Sequence, residues 1–129
     1  SVSSPELADL MNRVRPPFNV NSVALAAAAA ALAYDDYVAR SVAENTAGMQ
    51  QLTNAFAAMN LSYIPSVGNF IAFKVPSGVK AMDVYNQLLG KGVIVRPVAN
   101  YEMPDYLRVS IGTTAENTAF INALQAVLS

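Results

Sequence analysis

Apolar positions along this chain recur first at helical and later at strand spacing. Leu7, Leu10, Met11 and Val14 mark one helical face behind Ser4-Pro5-Glu6, which supplies a capping residue, a first-turn proline and an acid near the positive helix end. Arg15-Pro16-Pro17 stops that helix, because neither proline donates a backbone hydrogen bond and Pro16 restricts the residue before it. Asn19, Asn21 and Ser22 stand in the connector, where any of them is placed to cap the next helix. Residues 23–33 are alanine at eight of eleven positions. Alanine combines the best helix propensity with almost no bulk, so this segment predicts a helix that a neighbouring backbone can approach closely, either an ordinary buried helix or one packed on another domain or subunit. From Asp35 and Asp36 a further helix is expected to about Met59, since Val38, Val42, Met49, Leu52, Phe56 and Met59 recur at threes, fours and sevens.

The period then shortens. Residues 61–64 predict a short strand before Pro65, and residues 69–75 a second, with Phe70, Ala72 and Lys74 alternating against Ile71, Phe73 and Val75. Pro76-Ser77-Gly78 breaks it. Met82, Tyr85, Leu88 and Leu89 make a short amphipathic helix, with Gly90-Lys91-Gly92 as its left-handed stop and turn. Residues 92–112 read as two strands joined by a polar, proline-bearing turn, with Arg96 in the first and Arg108 in the second. Thr113-Thr114-Ala115-Glu116 has the form of a capping box, and Phe120, Ile121, Leu124, Val127 and Leu128 build a closing helix. Helices followed by mixed strands and helices give an α+β class: a small, largely antiparallel sheet covered by helices on one face.

Composition narrows the function. The 129 residues suit one domain with a real core; apolar residues make up 53 % and charged ones only 13 %, which suggests surface reserved for a partner. No run approaches the roughly 18 apolar residues of a membrane span, so a soluble protein is expected. A net charge of −1 without a basic cluster disfavours nucleic acid and anionic membranes. Cysteine and histidine are both absent, which removes disulfides, thiol chemistry and the usual zinc ligands. The start carries neither an initiator methionine nor a leader pattern, and is expected to be a cut inside a longer protein.

Candidate chemistry is correspondingly sparse. Asp35 and Asp36 are sequence neighbours that point apart on a helix, and read as a helix-start pair. Lys74, Lys80 and Lys91 lack the apolar setting that would make a Schiff-base lysine, and no glycine-rich phosphate loop is present. What remains is an anion clamp. Arginine presents a flat, permanently charged fork to carboxylate or phosphate, so Arg96 and Arg108 on neighbouring strands suit a small anionic substrate, although two solvent-facing arginines would look the same and the register is open. In Leu107-Arg108-Val109-Ser110-Ile111, alternation sets Arg108 and Ser110 apart from the apolar face, and Arg96 shares a face with Ile94. Asn69, Tyr101 and Tyr106 could add neutral hydrogen bonds there.

Three blocks, Arg15-Pro16-Pro17-Phe18-Asn19-Val20-Asn21-Ser22, Ser66-Val67-Gly68-Asn69-Phe70, and Gly92-Val93-Ile94-Val95-Arg96-Pro97 with Leu107-Arg108-Val109-Ser110-Ile111-Gly112, resemble in order and spacing the C-terminal part of the histidinol-phosphate aminotransferases. That resemblance implies a pyridoxal-phosphate enzyme of the aspartate-aminotransferase fold, cytoplasmic and homodimeric, in which residues 1–22 are the leading helix and connector from an N-terminal large domain and residues 23–129 the C-terminal small domain. By motif, Arg108 matches the family arginine on the substrate's acidic group, and Arg96 a second one associated with the phosphate end. Asn19, Asn21 and Asn69 match recurrent positions, with Asn19 and Asn69 carried over as substrate-binding. The family's Schiff-base lysine and main cofactor ligands lie before Ser1, so the piece alone is expected to be inactive. Three rivals stay open: an anion-binding regulatory module, a structural dimerisation domain, and an aminotransferase for aromatic or other amino acids.

Overall fold

The computed structural model describes residues 3–16 and 20–129. Their contacts divide them into two compact units between Val38 and Ala39.

In the first unit, α1 spans Pro5–Val14, with the Ser4 hydroxyl accepting from the Leu7 N–H at its start. Helix α2 spans Ser22–Leu32 and is capped by Asn21, whose side-chain oxygen accepts from Val23 N at 2.8 Å and Ala24 N at 3.4 Å. Asn21 is therefore the cap among the three candidates that the sequence offered. Neither helix buries a single residue, and Leu10, Val14, Val23 and Leu32 lie exposed. Helix α3 spans Asp35–Ala58, passes from the first unit into the second, and buries Gly48, Leu52 and Phe56.

The second unit is built on a four-stranded antiparallel sheet, the class that the sequence predicts. Strands β1 (Tyr63–Ile64), β2 (Phe70–Lys74), β3 (Arg96–Pro97) and β4 (Tyr106–Ser110) lie in the order β1-β2-β4-β3. Alternation sends Ile71, Phe73, Leu107 and Val109 to one face, where they meet α3, α4 (Ala81–Gly90) and α5 (Thr114–Leu128). Phe56, Phe73 and Phe120 form the centre of that core, with ring centroids 5.0 to 6.2 Å apart. The three α-helices thus lie on the core side, and the other face carries Phe70, Ala72, Arg108 and Ser110.

The stop at Gly90-Lys91-Gly92 is present, whereas the first arginine strand departs from the sequence reading. Gly90 still belongs to α4, and the left-handed residue is Gly92, with φ +77°. Val93 N–H donates to the Leu88 carbonyl and Gly92 N–H to that of Leu89, so the helix closes by hydrogen bonds that only a residue tolerant of positive φ can deliver. The first arginine strand, Arg96–Pro97, is much shorter than the reading of residues 92–112 as two strands implies. Val95 turns into the core while Ile94 is exposed, and pairing begins only at Arg96.

Where β4 ends, one buried polar side chain completes the frame. The Asn117 carboxamide accepts from Gly112 N–H at 3.0 Å, donates to the Gly112 carbonyl at 3.0 Å, and donates to Gln51 of α3 at 3.2 Å. Gly48 permits that closeness, since a Cβ there would stand 2.5 Å from Ile111 Cγ2 and 2.7 Å from Asn117 Nδ2. The predicted capping box is present: Thr113 Oγ1 accepts from Glu116 N–H, and the Glu116 carboxylate accepts from Thr113 N–H at 2.8 Å. Those bonds from the Thr113 backbone and hydroxyl favour the ionised acid and hold its pKa below the usual glutamate range.

Candidate functional site

Pairing of β2, β3 and β4 fixes what the sequence left open. A single cross-sheet row runs Ile64, Ala72, Arg108, Arg96, so the two arginines are direct cross-strand partners on the uncovered face. Side chains opposed in this way have Cβ atoms about 5 Å apart, and like charges so placed repel. Among the described residues no carboxylate stands within ion-pairing distance of either guanidinium. Arg96 is exposed and Arg108 half-buried.

The other neighbours of Arg108 explain its pose. Ala72, directly opposite on β2, offers only a methyl group and leaves room above it. Phe70 stands one diagonal further, opposite Ser110, and the Arg108 Cζ lies 4.6 Å from the centroid of its ring. Beside this pair opens a cavity of about 380 Å³, walled by Ile64, Phe70, Val98, Tyr101 and Met103 around Arg108. The arrangement is a cationic fork at the side of a largely apolar cup. It can take a small molecule with an anionic end against the arginine and an apolar or flat body against the wall, in surroundings where charge attraction is stronger than in water.

The remaining candidates separate. Asn69 is exposed, one residue before Phe70, and its carbonyl accepts from Ile111 N–H at 2.8 Å, which ties β2 to the end of β4; it does not line the cup. Asn19 lies outside the described residues. Tyr101 ends the short 3-10 turn Ala99–Tyr101 and lines the cup, whereas Tyr106 sits on β4 with the Lys74 ammonium 6.0 Å from its ring. The sequence reading overlooked Phe70 as a partner for Arg108. Its signal was an aromatic residue on the polar side of an alternating strand, but the diagonal to Arg108 depends on register. Lys74, Lys80 and Lys91 are all exposed, and Lys74 lies 3.8 Å from Asp105.

A family model described as aminotransferase class I and II matches residues 1–124. The chain belongs to the class I and II aminotransferases. Among relatives of this aminotransferase chain, a histidinol-phosphate aminotransferase from Methylobacillus flagellatus is 64 % identical over 127 residues, covering 98 % of this chain and 34 % of that protein. Histidinol-phosphate aminotransferase 2 from Pseudomonas fluorescens is 57 % identical, covering 99 % and 34 %. The chain thus spans about a third of the length of these relatives. Among solved structures, the histidinol-phosphate aminotransferase from Sinorhizobium meliloti in complex with pyridoxal-5'-phosphate superimposes with a TM-score of 0.83 at 27 % identity, over 98 % of this chain and 35 % of that one. The enzyme of the same name from Clostridium acetobutylicum reaches 0.85 at 20 %, over 95 % and 38 %, a likeness of fold. Among the described residues of this aminotransferase segment, no single helix is long and apolar enough to cross a membrane.

Proposed function

We propose that this chain is the substrate-binding small-domain part of a pyridoxal-phosphate-dependent histidinol-phosphate aminotransferase, which moves an amino group between histidinol phosphate and 2-oxoglutarate in histidine biosynthesis. The observation that carries the proposal is the direct opposition of Arg96 and Arg108 beside an apolar cup, with no carboxylate paired to either among the described residues. Two unneutralised cations facing each other cost free energy unless an anion joins them, and a phosphate or carboxylate does so with short charge-assisted hydrogen bonds. Arg108 takes the substrate's acidic group and Arg96 reinforces the phosphate end, and Asn69 and Asn19 are assigned to substrate binding on the motif match alone. The cofactor, its Schiff-base lysine and its phosphate ligands belong to an N-terminal large domain. In this reading residues 1–22 lead out of that domain and residues 23–129 form the small one, in a cytoplasmic homodimer. The exposed apolar residues of α1 and α2 supply surface for those partners.

The test is turnover by the full-length protein loaded with pyridoxal phosphate, with product formation measured for histidinol phosphate and for aromatic amino acids as donors to 2-oxoglutarate. Preference for histidinol phosphate supports the proposal. Preference for an aromatic donor keeps the reaction type and replaces the substrate, and no amino transfer with any donor sinks the reading.

A further inference from the structure

A guanidinium that must receive a substrate anion faces a positioning problem. An aspartate or glutamate beside it would fix the fork, but would also occupy its N–H donors and neutralise the charge meant for the substrate. Among the described residues Arg108 has no such partner. It has the Phe70 ring, 4.6 Å from Cζ, reached across the small Ala72. The negative face of an aromatic ring attracts a cation without accepting its in-plane hydrogen bonds, so all five donors stay available. Phe70 is itself held in place, because its strand pairs in register with β4 and the preceding Asn69 carbonyl accepts from Ile111 N–H.

We propose that Phe70 is a positioning residue for anion capture: its ring is a platform that holds the Arg108 fork ready for a carboxylate or phosphate. This rests on the assignment of Arg108 as the anion-binding arginine. Phe70 remains 39 % exposed, so its loss does not open the core, and the platform effect is that of a partly solvated contact.

The experiment is a double-mutant cycle on the full-length protein, with binding of glutarate, a plain dicarboxylate, measured by isothermal titration calorimetry. Phe70→Leu is expected to weaken glutarate about three- to tenfold, whereas Phe70→Tyr, which keeps the ring, stays within about twofold of the starting protein. In the Arg108→Ala background, Phe70→Leu is expected to have no further effect. Equal glutarate affinity in Phe70→Leu and the unaltered protein, an additive effect in the Arg108→Ala background, or failure of Phe70→Leu to fold would each overturn the proposal. Absence of glutarate binding to the unaltered protein would overturn it as well. Turnover of histidinol phosphate, measured in parallel, tells the two readings apart: normal turnover with an unmoved glutarate affinity removes only the role of Phe70.

Discussion

Arg108→Ala in the full-length protein separates a binding arginine from a structural one. A hydrogen bond to a charged group contributes about 1.5–3 kcal/mol, and each 1.36 kcal/mol is a factor of ten, so kcat/KM for glutamate should fall by about one to two orders of magnitude. Stability should move little. The side chain is half-buried on the uncovered face, it has no acid partner among the described residues, and it stands opposite Arg96, so the substitution relieves a repulsion while it removes the contact with Phe70. These opposing changes are each about 1 kcal/mol or less, and the urea midpoint should stay close to that of the unaltered protein. Arg108→Lys keeps the charge but loses the planar fork, and should recover only part of the lost rate. The assay is steady-state kinetics with glutamate varied, alongside urea unfolding and cofactor content by absorbance. An unfolded Arg108→Ala would make the arginine structural, and one with unchanged kcat/KM would remove it from substrate binding.

Gly48→Ala should destabilise by about 1–2 kcal/mol despite alanine's better helix propensity, because overpacking against Ile111 and Asn117 outweighs a gain of about 1 kcal/mol; a raised urea midpoint would contradict this. The carboxylate of Glu116 has its pKa lowered by Thr113, so its contribution is fully present above the ordinary glutamate range and is lost as pH falls through that range and then through the lowered pKa. Unfolding midpoints of Glu116→Gln and the unaltered protein should accordingly differ at pH 7 and converge as the pH is taken below about 4, and a gap constant across that window would count against the box. The 129-residue chain by itself, given pyridoxal phosphate and glutamate, should form no 2-oxoglutarate above background; measurable turnover would show that the cofactor machinery is not all elsewhere.

Features governed by a few neighbouring residues were legible in the sequence. The capping box at Thr113 and Glu116, the helix start at Ser4 and Pro5, and the alternation over residues 70–74 all depend on local chemistry, and all appear where it puts them. Features governed by what lies across a gap were not. Arg96 and Arg108 could be assigned to strands, yet their direct opposition is a matter of register, which shifts by whole residues without any change in either strand's own pattern. Residues 92–95 keep an alternating exposure at Ile94, Val95 and Arg96, but pairing with β4 starts only at Arg96, and where a ladder starts is likewise settled across the gap. Phe70 went unnoticed for the same reason, since its meaning depends on a diagonal neighbour and on Ala72 being small. Asn117, an ordinary helix residue by sequence, owes its burial to Gly112 and Gln51, one beyond its own helix and the other distant along the chain.

The short β3 bears on how this polypeptide behaves in bulk. A sheet margin normally offers a ladder of free N–H and C=O groups to any passing chain, which is how native folds seed cross-β aggregates. Here both margins are only two residues long, Tyr63–Ile64 in β1 and Arg96–Pro97 in β3, and in β3 the arginine repels a like-charged copy while the proline cannot donate. Just past Ser110, the Asn117 carboxamide occupies both polar groups of Gly112, as a further strand would. Separated from its relatives' remaining length, the chain is therefore poorly suited to stack sheet upon sheet, and self-association should proceed through the bare sides of α1 and α2, giving helical and reversible oligomers in place of fibrils.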